Sequence, residues 1–178
     1  MSDQATFGER YRLVWRRPGA RRVGEIRNYT VNEKRYRVVP ILLDDALMNR
    51  ISMRFLVSHW NSLGPEILVS CAFMDLPLQF REAGVWHEMG HIHHEHLLRD
   101  DIRDQAQLRA ARLLAVQNGF VIPYEGEADR FAVAHVSRHT LIGFLEYLLE
   151  TRPSGGRLGW NDIGRRELLM RIAAIRTF

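Results

Sequence analysis

Residues Trp86–His96 read Trp-His-Glu-Met-Gly-His-Ile-His-His-Glu-His and hold five of the chain's eight histidines. Inside them, His87-Glu88-Met89-Gly90-His91 matches H-E-x-x-H. On a helix of 3.6 residues per turn, positions four apart share a face. His87 and His91 would therefore aim two imidazoles at one point, with Glu88 on the edge of that face. Two nitrogen donors and a carboxylate beside them suit a zinc ion that activates water.

Such a site needs a third protein ligand. The continuation H-x-x-G-x-x-H fails, because His94 fills the glycine position and Leu97 the last histidine position. A carboxylate from a later helix remains, and Glu125-Gly126-Glu127-Ala128-Asp129-Arg130-Phe131-Ala132 supplies one. Glu125 and Asp129 lie four apart, so one face offers a carboxylate to the metal and a second to the far nitrogen of a ligand histidine. That second contact fixes the tautomer and orientation of the ring. Glu127 competes with Glu125 for the ligand role from a different helix face, and a solvated carboxylate is its alternative reading.

Taken together, H-E-x-x-H and E-x-x-A-D resemble the gluzincin metallopeptidases. His87, Glu88, His91 and His96 match the H-E-x-x-H-x-x-x-x-H helix of the CAAX-prenyl-protease and heat-shock membrane peptidases, whose E-x-x-A-D-x-x-A is met by Glu125, Ala128, Asp129 and Ala132. Phe131 and Ala132 also match the E-x-x-A-[ND]-x-F-A of the soluble ImmA/IrrE-type regulator proteases. The resemblance spans about residues 68–137. It implies a zinc endopeptidase with His87, His91 and Glu125 on Zn²⁺, Glu88 as general base and Asp129 supporting a ligand histidine. It also implies an edge strand near the metal that pairs with extended substrate, for which Glu66–Phe73 is the candidate. The chain departs from the membrane branch in lacking an apolar span, and from the soluble branch in having Glu95 where a histidine is usual.

Composition sets the frame for this chemistry. At 178 residues and 46% hydrophobic content, one domain with a real core is expected. No run of eighteen apolar residues occurs, so no membrane span is expected. Cys71 is the single cysteine, and Met1–Gln4 lacks an apolar signal segment, which together point to the cytoplasm. The net charge is +4, and the positive charge is almost all arginine, with Lys34 the sole lysine. Arg10, Arg12, Arg16, Arg17, Arg21, Arg22 and Arg27 crowd the first thirty residues. A nucleic-acid or acidic partner is one reading. A solvated face is favoured, because no stacking-aromatic pattern accompanies the charge. The rival to a peptidase is accordingly a non-hydrolytic regulatory or nucleic-acid-binding protein on a metal-binding fold.

The elements that position the motif are read from periodicity. Tyr11–Trp15, Val23–Thr30 and Arg35–Leu43 are expected strands, with Pro40 at an edge or bulge. Asp44-Asp45 is expected to cap a helix running through His59 to Leu63, ended by Gly64-Pro65. Glu66–Phe73 is a buried strand. The motif helix starts near Asp75-Leu76-Pro77, carries an apolar stripe of Leu78, Ala83, Val85, Trp86, Met89, Ile92 and Leu97, uses Gly90 for close approach, and has Arg99 in its last turn. Further helices are expected over Asp101–Asn118, Tyr124–Arg138, Thr140–Glu150 and from Asn161 or Asp162 onward, with a loop at 152–156. The expected fold class is α+β: a small, mainly antiparallel N-terminal sheet packed on a helical zincin-like core. Residues 1–43 would form a basic strand-rich part, and 44–178 a mainly helical part holding the site, within one domain. Tyr124, His135, His139 and Arg171 are candidate transition-state donors. His93, His94 and His96 are expected around the site or in solvent.

Overall fold

The computed structural model describes residues 21–22, 27–31, 34–38, 40–43, 56–61, 64–98, 105–151 and 160–178. The expected strand at Tyr11–Trp15, the Asp44-Asp45 cap, the arginines before position 21, Arg99, the start of the helix at Asp101 and the loop at 152–156 lie outside these residues. Contacts divide the chain into two compact units, Met1–Pro77 and Leu78–Phe178.

The first unit carries the strands β1 (Arg21–Arg22), β2 (Arg27–Val31), β3 (Lys34–Val38), β4 (Pro40–Leu43), β5 (Leu56–Asn61) and β6 (Gly64–Ser70). The four-stranded sheet has the order β1-β4-β6-β5, and β2 pairs with β3 in a separate antiparallel ladder. β4 runs parallel to β6, with Ile41 opposite Leu68, while β5 and β6 form an antiparallel hairpin closing at Asn61 and Gly64. Pro40 opens β4, a position where its missing N–H is tolerated. On β6, Pro65, Ile67 and Val69 are buried at the two-residue spacing of one strand face.

Two expectations fail in this unit. The helix predicted through Leu63 is a strand over Leu56–Asn61, because Val57 and Trp60 favour a pleated surface and the segment pairs with β6. His59 therefore sits on β5, opposite Glu66. The strand predicted over Glu66–Phe73 ends at Ser70 and gives way to a short helix, α1 (Cys71–Met74). β4 and β6 pair on one side and β5 and β6 on the other, so β6 has no free edge over Ile67–Val69 for an added substrate strand.

The second unit holds α2 (Leu78–His93), a 3₁₀ turn (His96–Leu98), α3 (Gln105–Gln117), α4 (Pro123–Val133), α5 (Arg138–Thr151) and α6 (Trp160–Ile175). Its described residues contain no strand. The α+β assignment, with a mainly antiparallel N-terminal sheet packed on a helical core, is thus corrected. The part that bears the motif is a helical protein, and the strands belong to the other unit, where the middle of the sheet is parallel. The strand-rich part also runs on to Ser70, well past position 43.

Local chemistry explains the helix limits. α2 begins just after Pro77, and α4 has Pro123 in its first turn, as expected for a residue with no N–H to lose. α3 ends at Gln117, and Gly119 takes the left-handed φ of 75° that the following turn requires. The predicted single helix from Tyr124 to Arg138 breaks at Val133, because Ser137 starts α5 by accepting a hydrogen bond from the Thr140 N–H at 3.0 Å.

α2 is the central helix, packed against α4 and α5. Its expected apolar stripe is only partly present. Leu78 is exposed, Val85 and Trp86 are half-buried, and His87, Glu88 and His91 are buried alongside Met89 and Ile92. On α6, Leu168, Arg171, Ile172 and Ile175 point inward at helical spacing, so one guanidinium lies within an otherwise apolar face. The backbones of α2 and α4 approach closely at Gly90 and Ala128. A Cβ built on Gly90 would lie 2.7 Å from Ala128 Cα and 2.9 Å from its carbonyl oxygen.

Replacing Gly90 with Ala tests this contact. Alanine favours an isolated helix by about 1 kcal/mol over glycine. Here the added methyl meets backbone that cannot swing away, and overpacking costs typically about 1–3 kcal/mol. Urea unfolding should show Gly90→Ala less stable than wild type, whereas an increase in stability would contradict the contact.

Candidate metal centre

Close approach of α2 and α4 brings the motif residues together. Donor atoms of His87, His91 and Glu125 all lie within 4.8 Å of one another, an arrangement that could hold a metal ion. The His87 and His91 Nε2 atoms are 3.1 Å apart, and Glu125 Oε2 is 3.4 Å from the first and 3.9 Å from the second. In a tetrahedral zinc site with bonds of about 2.0–2.1 Å, ligand atoms stand about 3.3–3.4 Å apart. The three donors thus approximate one face of such a tetrahedron. All three residues are buried, between 6% and 9% exposed.

The surrounding groups fix how these side chains point. Asp129 Oδ1 lies 2.9 Å from His87 Nδ1, on the ring edge away from His91. The same carboxylate receives a two-pronged pair from Arg171, whose Nε and NH2 donate to Oδ2 and Oδ1 at 2.8 and 2.6 Å. Arg171 NH2 also comes within 3.1 Å of His87 Nδ1. Both are donors to Asp129 Oδ1, so this is two donors crowding one acceptor. Glu125 is held from both sides: Arg112 NH2 donates to Oε1 at 2.8 Å, and Arg171 NH1 lies 3.0 Å from Oε2. Arg112 further approaches Glu167 at 3.4 Å.

Charges follow from this packing. Burial and the Arg171 charge disfavour protonation of His87, but hydrogen bonds to Asp129 and Glu125 prevail and raise its pKa to about 9. His91 goes the other way: burial dominates, Glu125 only partly opposes it, and the pKa falls to about 3. Burial works against ionisation of Asp129, yet Arg171 and His87 bring its pKa down to about 2. Glu125 is likewise held well below the ordinary carboxylate range, against burial, by Arg171, His87, His91 and Arg112. A protonated His87 would direct its Nε2–H toward His91 Nε2 and Glu125 Oε2, 3.1 and 3.4 Å away.

The expected site residues sort clearly. His87, His91 and Glu125 come together, Asp129 contacts His87, and Glu88 is buried beside them at 8% exposure. Glu127, the competing ligand, instead accepts from His96 Nε2 at 2.8 Å. It is thus not simply solvated. His96 is 1% exposed and its Nδ1 lies 2.9 Å from His91 Nδ1. His94 is exposed and stacks on His96, and His93 stacks on Phe131. His135 stacks on Trp86 at 4.0 Å between centroids, and His139 is exposed. Tyr124 packs its ring 6.1 Å from that of His91, and burial raises its pKa so that the phenol keeps its proton. Arg112 had no assigned role from sequence, and the pairing of His96 with Glu127 was not expected. Arg112 lies in a helix with no motif, and His96 and Glu127 are thirty-one residues apart.

Comparison of the chain with protein-family models, with curated proteins and with solved structures finds no match. No described helix is long and apolar enough to cross a membrane.

The charge state of His87 carries a testable consequence. A ligand imidazole must be neutral, so metal uptake displaces its proton wherever the empty site is protonated. With a pKa of about 9, His87 is protonated at neutral pH. Zinc uptake at pH 7 should release about one proton from this residue, and apparent affinity should rise with pH toward about 9. Calorimetry in buffers of different ionisation enthalpy measures both. An affinity independent of pH between about 6.5 and 8.5 would contradict the assignment.

Proposed function

We propose that the chain is a zinc-dependent endopeptidase of the gluzincin type, acting on protein or peptide substrates, with the cytoplasm as its location. The observation that carries this reading is the convergence of His87 Nε2, His91 Nε2 and Glu125 Oε2 at near-tetrahedral separations. Three protein ligands leave one position open, as catalytic rather than structural zinc requires. A zinc ion held there supplies Lewis acidity toward a water molecule and a peptide carbonyl.

The chain's own groups do the rest. Glu88, buried one residue along α2 from His87, takes the proton of the attacking water and passes it to the leaving amine. Asp129 orients the His87 ring by accepting from Nδ1, which leaves Nε2 to face His91 and Glu125. Arg112 and Arg171 hold the Glu125 carboxylate ionised and fix its rotamer. Metal binding alone does not require a carboxylate at position 88, which favours hydrolysis over the non-catalytic reading.

A Glu88→Gln variant separates the two roles. It should bind zinc as tightly as wild type while cleavage of a casein-derived peptide mixture falls by about 10²–10⁴-fold, the usual worth of a general base. Wild-type cleavage rates in this variant would remove Glu88 from the reaction. Cleavage that survives a chelator would remove the metal from it.

A further inference from the structure

The two ligand-candidate histidines are anchored differently. His87 meets a carboxylate directly, through Asp129. His91 meets another imidazole, His96, nitrogen to nitrogen at 2.9 Å. Two ring nitrogens at that distance share one proton, so one donates and the other accepts. Which does which is decided at the far side of His96. Its Nε2 lies 2.8 Å from Glu127 Oε2, and an ionised carboxylate only accepts. His96 Nε2 must therefore carry a proton.

We propose that Glu127 and His96 form a positioning relay that sets the tautomer of His91. With its proton on Nε2, a His96 whose Nδ1 is bare accepts from His91. The shared proton then sits on His91 Nδ1, and His91 Nε2 is left with a lone pair aimed at His87 Nε2 and Glu125 Oε2. The opposite arrangement puts the proton on His91 Nε2 and removes it as a ligand. This inference rests on the metal-centre reading and extends it outward to a residue 40% exposed, Glu127.

The backbone is shaped for the contact. After α2 ends at His93, the chain reverses with Glu95 at a φ of 55°. Left-handed backbone is uncommon for a residue with a Cβ. The reversal seats His96 in the 3₁₀ turn, buried, with its ring 5.1 Å from that of His91 and 5.9 Å from that of Tyr124. Neither residue of the relay is itself among the group able to hold the ion.

Zinc dissociation constants from chelator competition test the relay in wild type, Glu127→Gln, His96→Ala and His96→Asn, with Glu146→Gln as surface control. Removing the outer partner of a ligand histidine typically weakens metal binding about 10–100-fold. His96→Ala should show a loss in that range, Glu127→Gln a loss of about tenfold, and Glu146→Gln none. His96→Asn should recover most of the affinity, since its amide oxygen can accept where Nδ1 did. Nitrogen NMR of the zinc-loaded wild type should find His96 protonated on Nε2 and bare on Nδ1. If wild type binds zinc but the relay variants stay within about twofold of it, or if His96 Nδ1 carries the proton, the relay is overturned while the metal centre stands. A wild-type protein that takes up no zinc overturns the metal centre and the relay with it.

Discussion

Everything at the candidate centre depends on how closely α2 and α4 can lie. A side chain at position 90 would collide with the backbone of Ala128, so only glycine there, facing alanine, lets the helices touch. Ala128 lies between Glu125 and Asp129 in sequence, and Gly90 directly precedes His91. The contact therefore acts as a hinge pin for the donors themselves. Separating the helices by the width of a methyl group would move Glu125 away from both imidazoles. Metal ligation tolerates only a few tenths of an ångström in bond length.

Close packing creates a second constraint, since it buries charge. His87, Glu125, Asp129 and Arg171 are each more than nine-tenths buried. Isolated, any of these ions would be strongly unfavourable. They persist because each is shared: Asp129 between His87 and Arg171, Glu125 between Arg112 and Arg171. Buried pairs of this kind contribute little net stability, but loss of one member leaves its partner unpaired and costs about 3–5 kcal/mol. Their use here is directional. Asp129 and the two arginines fix where the His87 ring and the Glu125 carboxylate point, and the donor atoms of His87, His91 and Glu125 lie around a common point.

Much of this centre was legible in the sequence because its parts are local. His87, Glu88 and His91 lie within one helical turn, and Glu125 and Asp129 within another, so a period of 3.6 residues predicts their common faces. Gly90 was readable as a close-approach position, and Pro123 and Gly119 as helix limits. What escaped was long-range. The hydrogen bond from His96 to Glu127 joins residues that no local pattern connects, and Arg112 pairs with Glu125 across separate helices. The segment Leu56–Asn61 reads as helix from sequence, and only its pairing with β6 shows it to be a strand. The fold class failed for a related reason: some strand segments could be found singly, but their partners, including the parallel β4–β6 pairing, could not.

X-ray absorption at the zinc edge of the protein loaded with one equivalent of metal tests the central claim most directly. His87, His91 and Glu125 predict two imidazoles and one carboxylate oxygen, with one further light atom, at about 2.0–2.1 Å and no sulfur near 2.3 Å. A shell of three or four imidazoles, or of fewer than two, would contradict the ligand set read from α2 and α4.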